Sequence, residues 1–276
     1  RQPSDSLSYW ERNGLFALAD GVPDVTRKAR EILRLGATQI KIAGGGGVSS
    51  TYDPLDVTQF SFEEMKAIVG VAANWNTYVA AHIFTDEAIQ TAIRAGVKTI
   101  EHGNLIMKKE TLQMMKDNGV WLSAQPLIDD EDRLVFDNPA STAKWIEATD
   151  GTGRNYEAAK AMGVKIAFGT DMLFDPAAAA RQGKMVVKLK NWFTPYEALK
   201  MVTSTNAELL MLSGPRHPYQ EGPLGVIEVG AYADLILVDG NPLENLDLIG
   251  DADKNFVVIM KDGKIYKNTL HKVTGS

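Results

Sequence analysis

Residues 77–103, TYVAAHIFTDEAIQTAIRAGVKTIEHG, decide the fold. An apolar run ends in His82, a helical pattern covers 85–95, and a second apolar run over 98–101 leads into His102 and Gly103. Two strands joined by a helix of that length run parallel, because the crossover brings the chain back in the same direction. His82 and His102 stand one strand–helix–strand repeat apart. In a parallel β/α barrel such strand ends converge on one rim, where catalytic groups collect. A lone histidine at a strand end is more often structural than a ligand. Two in the same setting on neighbouring strands make coincidence harder, so both are candidate metal ligands.

The alternation continues on either side. Residues 24–35 (DVTRKAREILRL) have helical spacing, with Asp24 able to cap and Gly36 able to end the helix, and 38–43 (TQIKIA) is a short β-branched run. Gly44-Gly45-Gly46-Gly47 follows and permits unusual backbone angles beside a ligand. A helix is expected over 61–74, where Ser61 and Glu64 form a capping-box pattern. Downstream come helix 108–118, strand 120–124, a long helical stretch over 140–162, strand 164–168 and helices near 176–190 and 194–212. Five βα units can be counted from residue 38, and 14–19 (GLFALA) is a candidate sixth strand. After Pro215 the pattern changes to strands at 224–229, 232–238 and 256–266, the last bent at Asp262-Gly263, a pair suited to a type I′ turn. The expected organisation is a partial (β/α) barrel domain over residues 1–220 and a β module over 221–276.

The chain has 276 residues, 45% hydrophobic and 23% charged, enough for a large core with an appended module. A net charge of −6 argues against a nucleic-acid partner, which would require a basic patch. With no cysteine, disulfides and thiolate metal sites are excluded, so a metal would need N and O ligands. No apolar run is long enough to span a bilayer. The opening Arg1-Gln2-Pro3-Ser4 has neither Met nor a signal-peptide pattern and reads as the interior of a longer chain. No compartment is indicated.

Two further islands carry candidate chemistry. Asp171 follows the apolar run 164–168 and could bind metal and accept a proton, although capping the next helix is an equally ordinary use of Asp. Lys41 lies inside Gln39-Ile40-Lys41-Ile42, where it is expected to point into a crowded apolar layer. A buried ammonium is costly. It needs either an ion pair with Glu101 or Asp171, or conversion to a carbamate by CO2, which makes the cation an anion able to bridge two metals. His217 and His271 are expected to be solvated and are assigned no role.

Together these residues resemble the amidohydrolase superfamily, in particular its binuclear branch of imidazolonepropionase-like, prolidase-like and ochratoxinase-like enzymes. The resemblance runs from Ala19-Asp20-Gly21 through Lys41 and the glycine run, His82, Glu101-His102-Gly103, Gly169-Thr170-Asp171 and Thr205-Asn206-Ala207 to Leu224–Gly230 and Ala233–Leu243. It implies an α/β fold, a TIM-type (β/α)8 barrel lacking its first strands in this chain, with part of a small β-sandwich at the C-terminus. It implies two divalent ions, zinc for preference, and carboxylated Lys41 as the bridge. His82 and His102 would bind the more exposed metal. Asp171 would bind the more buried one and act as general base.

The resemblance also implies a His-x-His pair on a first barrel strand, and this chain contains none. An N-terminally truncated chain or one member of a split pair is therefore expected, so that a missing segment or second chain completes the site. Thr85 stands where deaminases of the superfamily carry Glu, which favours binuclear hydrolysis by a metal-bridging hydroxide. The substrate expected is a small-molecule amide, a dipeptide or N-acyl amino acid. Tyr52, Gln125 and Met172 are candidate substrate contacts, although loop packing explains each equally simply. Lactone, carbamate or organophosphate hydrolysis, or a non-catalytic barrel, are the alternatives. A homo-oligomer is expected.

Overall fold

A computed structural model describes residues 9–131, 133–172 and 176–270. After one turn of helix, α1 (Tyr9–Arg12), comes α2 (Val22–Arg34), which turns Val25, Ala29 and Leu33 inward. Strand β1 (Ile40–Ala43) leads to α3 (Phe62–Asn74), β2 (Val79–Thr85), α4 (Asp86–Ala95), β3 (Thr99–Leu105), α5 (Lys109–Asp117) and β4 (Trp121–Ala124). Helices α6 (Pro139–Asp150) and α7 (Thr152–Met162) precede β5 (Ile166–Phe168). The strands lie in the order β1-β2-β3-β4-β5, all parallel. Strands that stay in chain order, each returning through helix, form the arc of a β/α barrel; a doubly wound sheet would reverse its order.

Register sorts the two faces. Ile42, Ala81, Ile100, Leu122 and Ile166 align across the sheet and are buried in one core with Met65, Ile89 and Met115 of the helices. One position along, Ala43, His82, Glu101, Ser123 and Ala167 align on the opposite, inner face. The capping box at α3 forms as expected: Ser61 Oγ accepts from Glu64 N–H (3.2 Å), and Glu64 accepts from Ser61 N–H (2.8 Å).

Several elements depart from expectation. The stretch 140–162 is two helices broken at Gly151, where a Cβ would lie 1.8 Å from the Asn104 carbonyl oxygen. Residues 14–19 and 224–229 form no strand, and nothing among the described residues pairs with them. The region near 176–190 resolves into α8 (Pro176–Ala179) and α9 (Gln182–Lys188); the stretch 194–212 is interrupted by a π-helical turn at Met201–Thr205.

In the C-terminal region, β6 (Leu235–Val238), β7 (Phe256–Lys261) and β8 (Lys264–Asn268) form an antiparallel sheet, with the hairpin turning at Asp262 and Gly263, both at positive φ. This region is tied to the barrel layer by the 3-10 turn Leu246–Gly250. Leu246 joins the main core, and the Ile249 carbonyl approaches α9 where a Cβ on Gly183 would stand 2.3 Å from it. No helix among the described residues is long and apolar enough to cross a membrane.

Candidate metal centre

Strand β2 puts His82 on the inner face, paired in register with Glu101. His102 pairs with Ile83, so simple alternation would send its ring to the opposite face, toward the helices. Its backbone has φ +77, and Gly103 follows at +63. The kink swings the imidazole back, and the two rings meet at 4.3 Å between centroids, nearly perpendicular. Phe84, two residues beyond His82 on the same strand face, stacks on His102 at 5.0 Å and meets His82 edge-on at 5.1 Å.

The two imidazoles are tethered through opposite nitrogens. His82 Nε2 donates to the Gly46 carbonyl at 2.7 Å, which leaves Nδ1 for a ligand. His102 Nδ1 donates to Gln125 Oε1 at 2.6 Å; Gln125 Nε2 in turn reaches the Ser123 carbonyl at 3.3 Å, which fixes the amide's orientation. His102 is 6% exposed, and its Nε2 is buried without a hydrogen-bond partner. A buried bare nitrogen is costly unless something accepts its lone pair. A ring tied down through its other nitrogen is how metal-binding histidines are commonly oriented.

Electrostatics keep both rings neutral, the form that ligates. Burial pushes His102 well below the ordinary imidazole value, reinforced by His82 and Lys41. Burial also lowers His82; the Gly46 carbonyl opposes this, Lys41 adds to it, and Asp171 and Asp53 pull the other way. Asp171 stands open to solvent on one side at φ +53, a conformation Asp tolerates better than most residues. Its carboxyl is nevertheless raised by the surrounding protein, with Lys41 and His82 drawing it back down. Glu101 is raised by burial too, against hydrogen bonds from Ser123 and Thr99. Lys41, His82, His102 and Asp171 thus fall within one electrostatic neighbourhood.

Lys41 corrects one expectation. It is exposed rather than packed in an apolar layer, because β1 is the edge of the sheet and small residues, Ala43 and Ala80, flank it on the inner face. Among the described residues it forms no ion pair within 4 Å, with Glu101, Asp171 or any other acid.

The glycine run serves close approach rather than unusual dihedrals. None of its four residues has positive φ, but a Cβ on Gly46 would sit 1.8 Å from the Pro54 carbonyl oxygen and one on Gly44 2.8 Å from Ile83. His217 is not solvated; it is 3% exposed, with Nδ1 accepting from the Tyr219 N–H at 3.1 Å. His271 lies outside the described residues. Tyr52 is 95% exposed, and Met172 lines a small cavity with Arg181, Lys184 and Lys188. Gln125 is occupied with His102. The glycine run was legible as lying beside a ligand, but neither the Gly46 carbonyl's bond to His82 nor Phe84 was; for Phe84 the signal was its position two residues along the face that carries His82.

Among the described residues, no three His, Asp or Glu side chains cluster tightly enough to hold a metal ion by themselves. The bare His102 Nε2 fits a divalent cation. The profile of the amidohydrolase family matches residues 6–267. Ochratoxinase from Aspergillus niger is 34% identical over 265 residues, covering 94% of this chain and 52% of its own length. A prolidase solved with N-methylphosphonate-L-proline is 34% identical with a TM-score of 0.85, over 97% of this chain and 65% of that one. A Xaa-Pro dipeptidase solved with bound methionine is 30% identical with a TM-score of 0.78, over 91% and 59%. The chain spans about half the length of the curated relatives it matches. From the barrel order, the paired imidazoles and a profile match across nearly its whole length, the chain belongs to the amidohydrolase family.

Proposed function

We propose that this chain belongs to a metal-dependent hydrolase of amide bonds whose substrates are dipeptides or N-acyl amino acids. The observation that carries the reading is the pair of neutral imidazoles 4.3 Å apart, each tethered through one nitrogen and each with the other left to ligate. His82 through Nδ1, His102 through Nε2, Asp171 through its carboxylate and Lys41 as a carbamate would hold two divalent ions. The carbamate forms when the neutral Nζ adds to the carbon of CO2 and releases a proton. Bound there, the ions would polarise the substrate carbonyl and acidify water.

The chain's own residues do the rest. The raised carboxyl of Asp171 suits it to take a proton from the attacking water and pass it to the leaving amine nitrogen, so that an amide and water become an acid and an amine. Phe84 keeps one side of both imidazoles dry. Tyr52 and Met172 are proposed substrate contacts, and Gln125 is proposed to act there only through His102. The reading needs further metal ligands from outside these residues, and a homo-oligomer is proposed beside it. The names of the relatives, an ochratoxinase, a prolidase and a Xaa-Pro dipeptidase, support an amide over an ester substrate.

The test is a panel of dipeptides and N-acyl amino acids given to the metal-loaded, full-length protein, beside lactones, carbamates and organophosphates. Release of an amino acid that disappears in His102→Asn is expected. Faster turnover of the non-amide substrates would overturn the substrate class. A protein that binds no metal and turns over none of them would be the non-catalytic barrel.

A further inference from the structure

Helices α6 and α7 reach both imidazoles, by separate routes. Lys144 on α6 is half-buried and spends its three N–H donors on three backbone carbonyls of one loop, those of Gly47, Ser50 and Asp53, the last at 3.3 Å. Among the described residues it has no carboxylate partner. The same loop is closed from within by Gln59, which donates to the Gly45 carbonyl at 2.8 Å and to Asp53 at 3.2 Å. Gly46 lies between these fixed points, and its carbonyl is the acceptor for His82 Nε2. A withdrawn ammonium satisfied only by loop carbonyls is an expensive way to stabilise a surface loop. It is an effective way to aim one carbonyl.

The second route runs to β3. Asn155 on α7 donates to the Gly103 carbonyl at 2.6 Å, one residue past the positive φ of His102. Asn104 donates to Thr152 Oγ1, also on α7, at 2.8 Å. The missing side chain of Gly151 is what lets the helix pair approach the Asn104 carbonyl. Between the two routes, Ala148 of α6 packs with Leu55 and Phe84, beneath the rings themselves.

We propose that Lys144 and Asn155 are positioning residues: Lys144 sets the tautomer of His82 through Gly46, and Asn155 holds the kink that turns His102 inward. The inference rests on the reading of His82 and His102 as metal ligands, and it assigns each imidazole a separate support. A donor fixed on His82 Nε2 leaves Nδ1 bare, and the β3 kink delivers His102 to Gln125, whose hold on Nδ1 leaves Nε2 bare, so the two supports together set which nitrogens face a metal.

The experiment reads histidine tautomers by 15N-histidine NMR in the metal-free full-length protein, and metal dissociation into a chelator in the loaded one. Lys144→Met is expected to turn His82 from a single Nε2-protonated tautomer into a mixture, to leave His102 unmoved, and to speed metal loss about 10–100-fold, the usual range for groups that orient a ligand. Asn155→Leu is expected to do the converse, shifting His102 and sparing His82. Thr149→Val, which removes a hydrogen bond within α6 itself, lowers the melting temperature and moves neither signal. If Lys144→Met does not fold, Lys144→Gln carries the same test.

The proposal is overturned if the folded Lys144 variant keeps His82 in one tautomer with unchanged metal dissociation. It is also overturned if both histidines shift together in every variant, Thr149→Val included. Because the tautomers are read without metal, a wild-type protein that binds no metal would sink the hydrolase reading while leaving the tautomer pattern to be judged separately.

Discussion

His102 owes its place to one dihedral. Alternation along β3 assigns it to the wrong face, and a φ of +77 returns it, at a cost of roughly 1–3 kcal/mol for a strained non-glycine residue. The even spacing of the two histidines was therefore a sound signal for the wrong geometric reason: in register His82 faces Glu101, and the kink supplies the missing residue of offset. Lys41 was legible as an oddity but not as exposed, since exposure depends on which strands flank β1. His217 was unreadable because its burial comes from tertiary packing around a loop. Two predictions belong at this scale. Asp171→Asn keeps a residue tolerant of positive φ, so folding should be nearly unchanged while turnover falls about 10²–10⁴-fold, the usual worth of a general base; steady-state kinetics beside a melting curve check both. In metal-free protein, folded His102 stays unprotonated well below 6.5, whereas the unfolded chain takes up its proton as pH falls through that value. Stability is then full above pH 6.5 and drains below it, and His102→Gln should flatten that slope in urea titrations across pH.

Elements follow local rules wherever the deciding partner is local. The capping box at α3 was readable because Ser61 and Glu64 satisfy each other, and Ser61→Ala should cost about 1 kcal/mol in urea denaturation. Glu64 is held below the ordinary carboxyl value first by the Ser61 N–H and also by the Gly21 N–H, so its contribution is present above the unfolded pKa and fades as pH falls through the lower folded one. The α6–α7 break was not readable. A glycine inside a helical pattern is normally tolerated, and the reason for this one is a carbonyl nearly fifty residues upstream, that of Asn104. Gly151→Ala should cost about 1–3 kcal/mol through overpacking and loosen His102, seen as faster metal loss. Residues 224–229 are rich in apolar and β-branched side chains like a strand, yet Ile227 and Val229 lie exposed; a strand needs a neighbour, and composition cannot provide one.

For the molecule as a whole, parallel strands in chain order were fully legible, because helix-length connections leave little topological choice. The attachment of the C-terminal sheet was not, since it depends on the short turn that carries Leu246 into the main core. Leu246→Ala should lower stability by about 2–5 kcal/mol and uncouple the two regions in hydrogen exchange. For the proposed activity, residues from β1, β2, β3 and the loop after β5 must meet around divalent cations. Metal analysis of the full-length protein, as wild type, Lys41→Ala and the double variant His82→Asn/His102→Asn, tests this requirement most directly. About two divalent ions per chain are expected in the wild type, with a clear loss in both variants. Stoichiometric metal that survives both sets of substitutions, or a wild type that holds none, would contradict it.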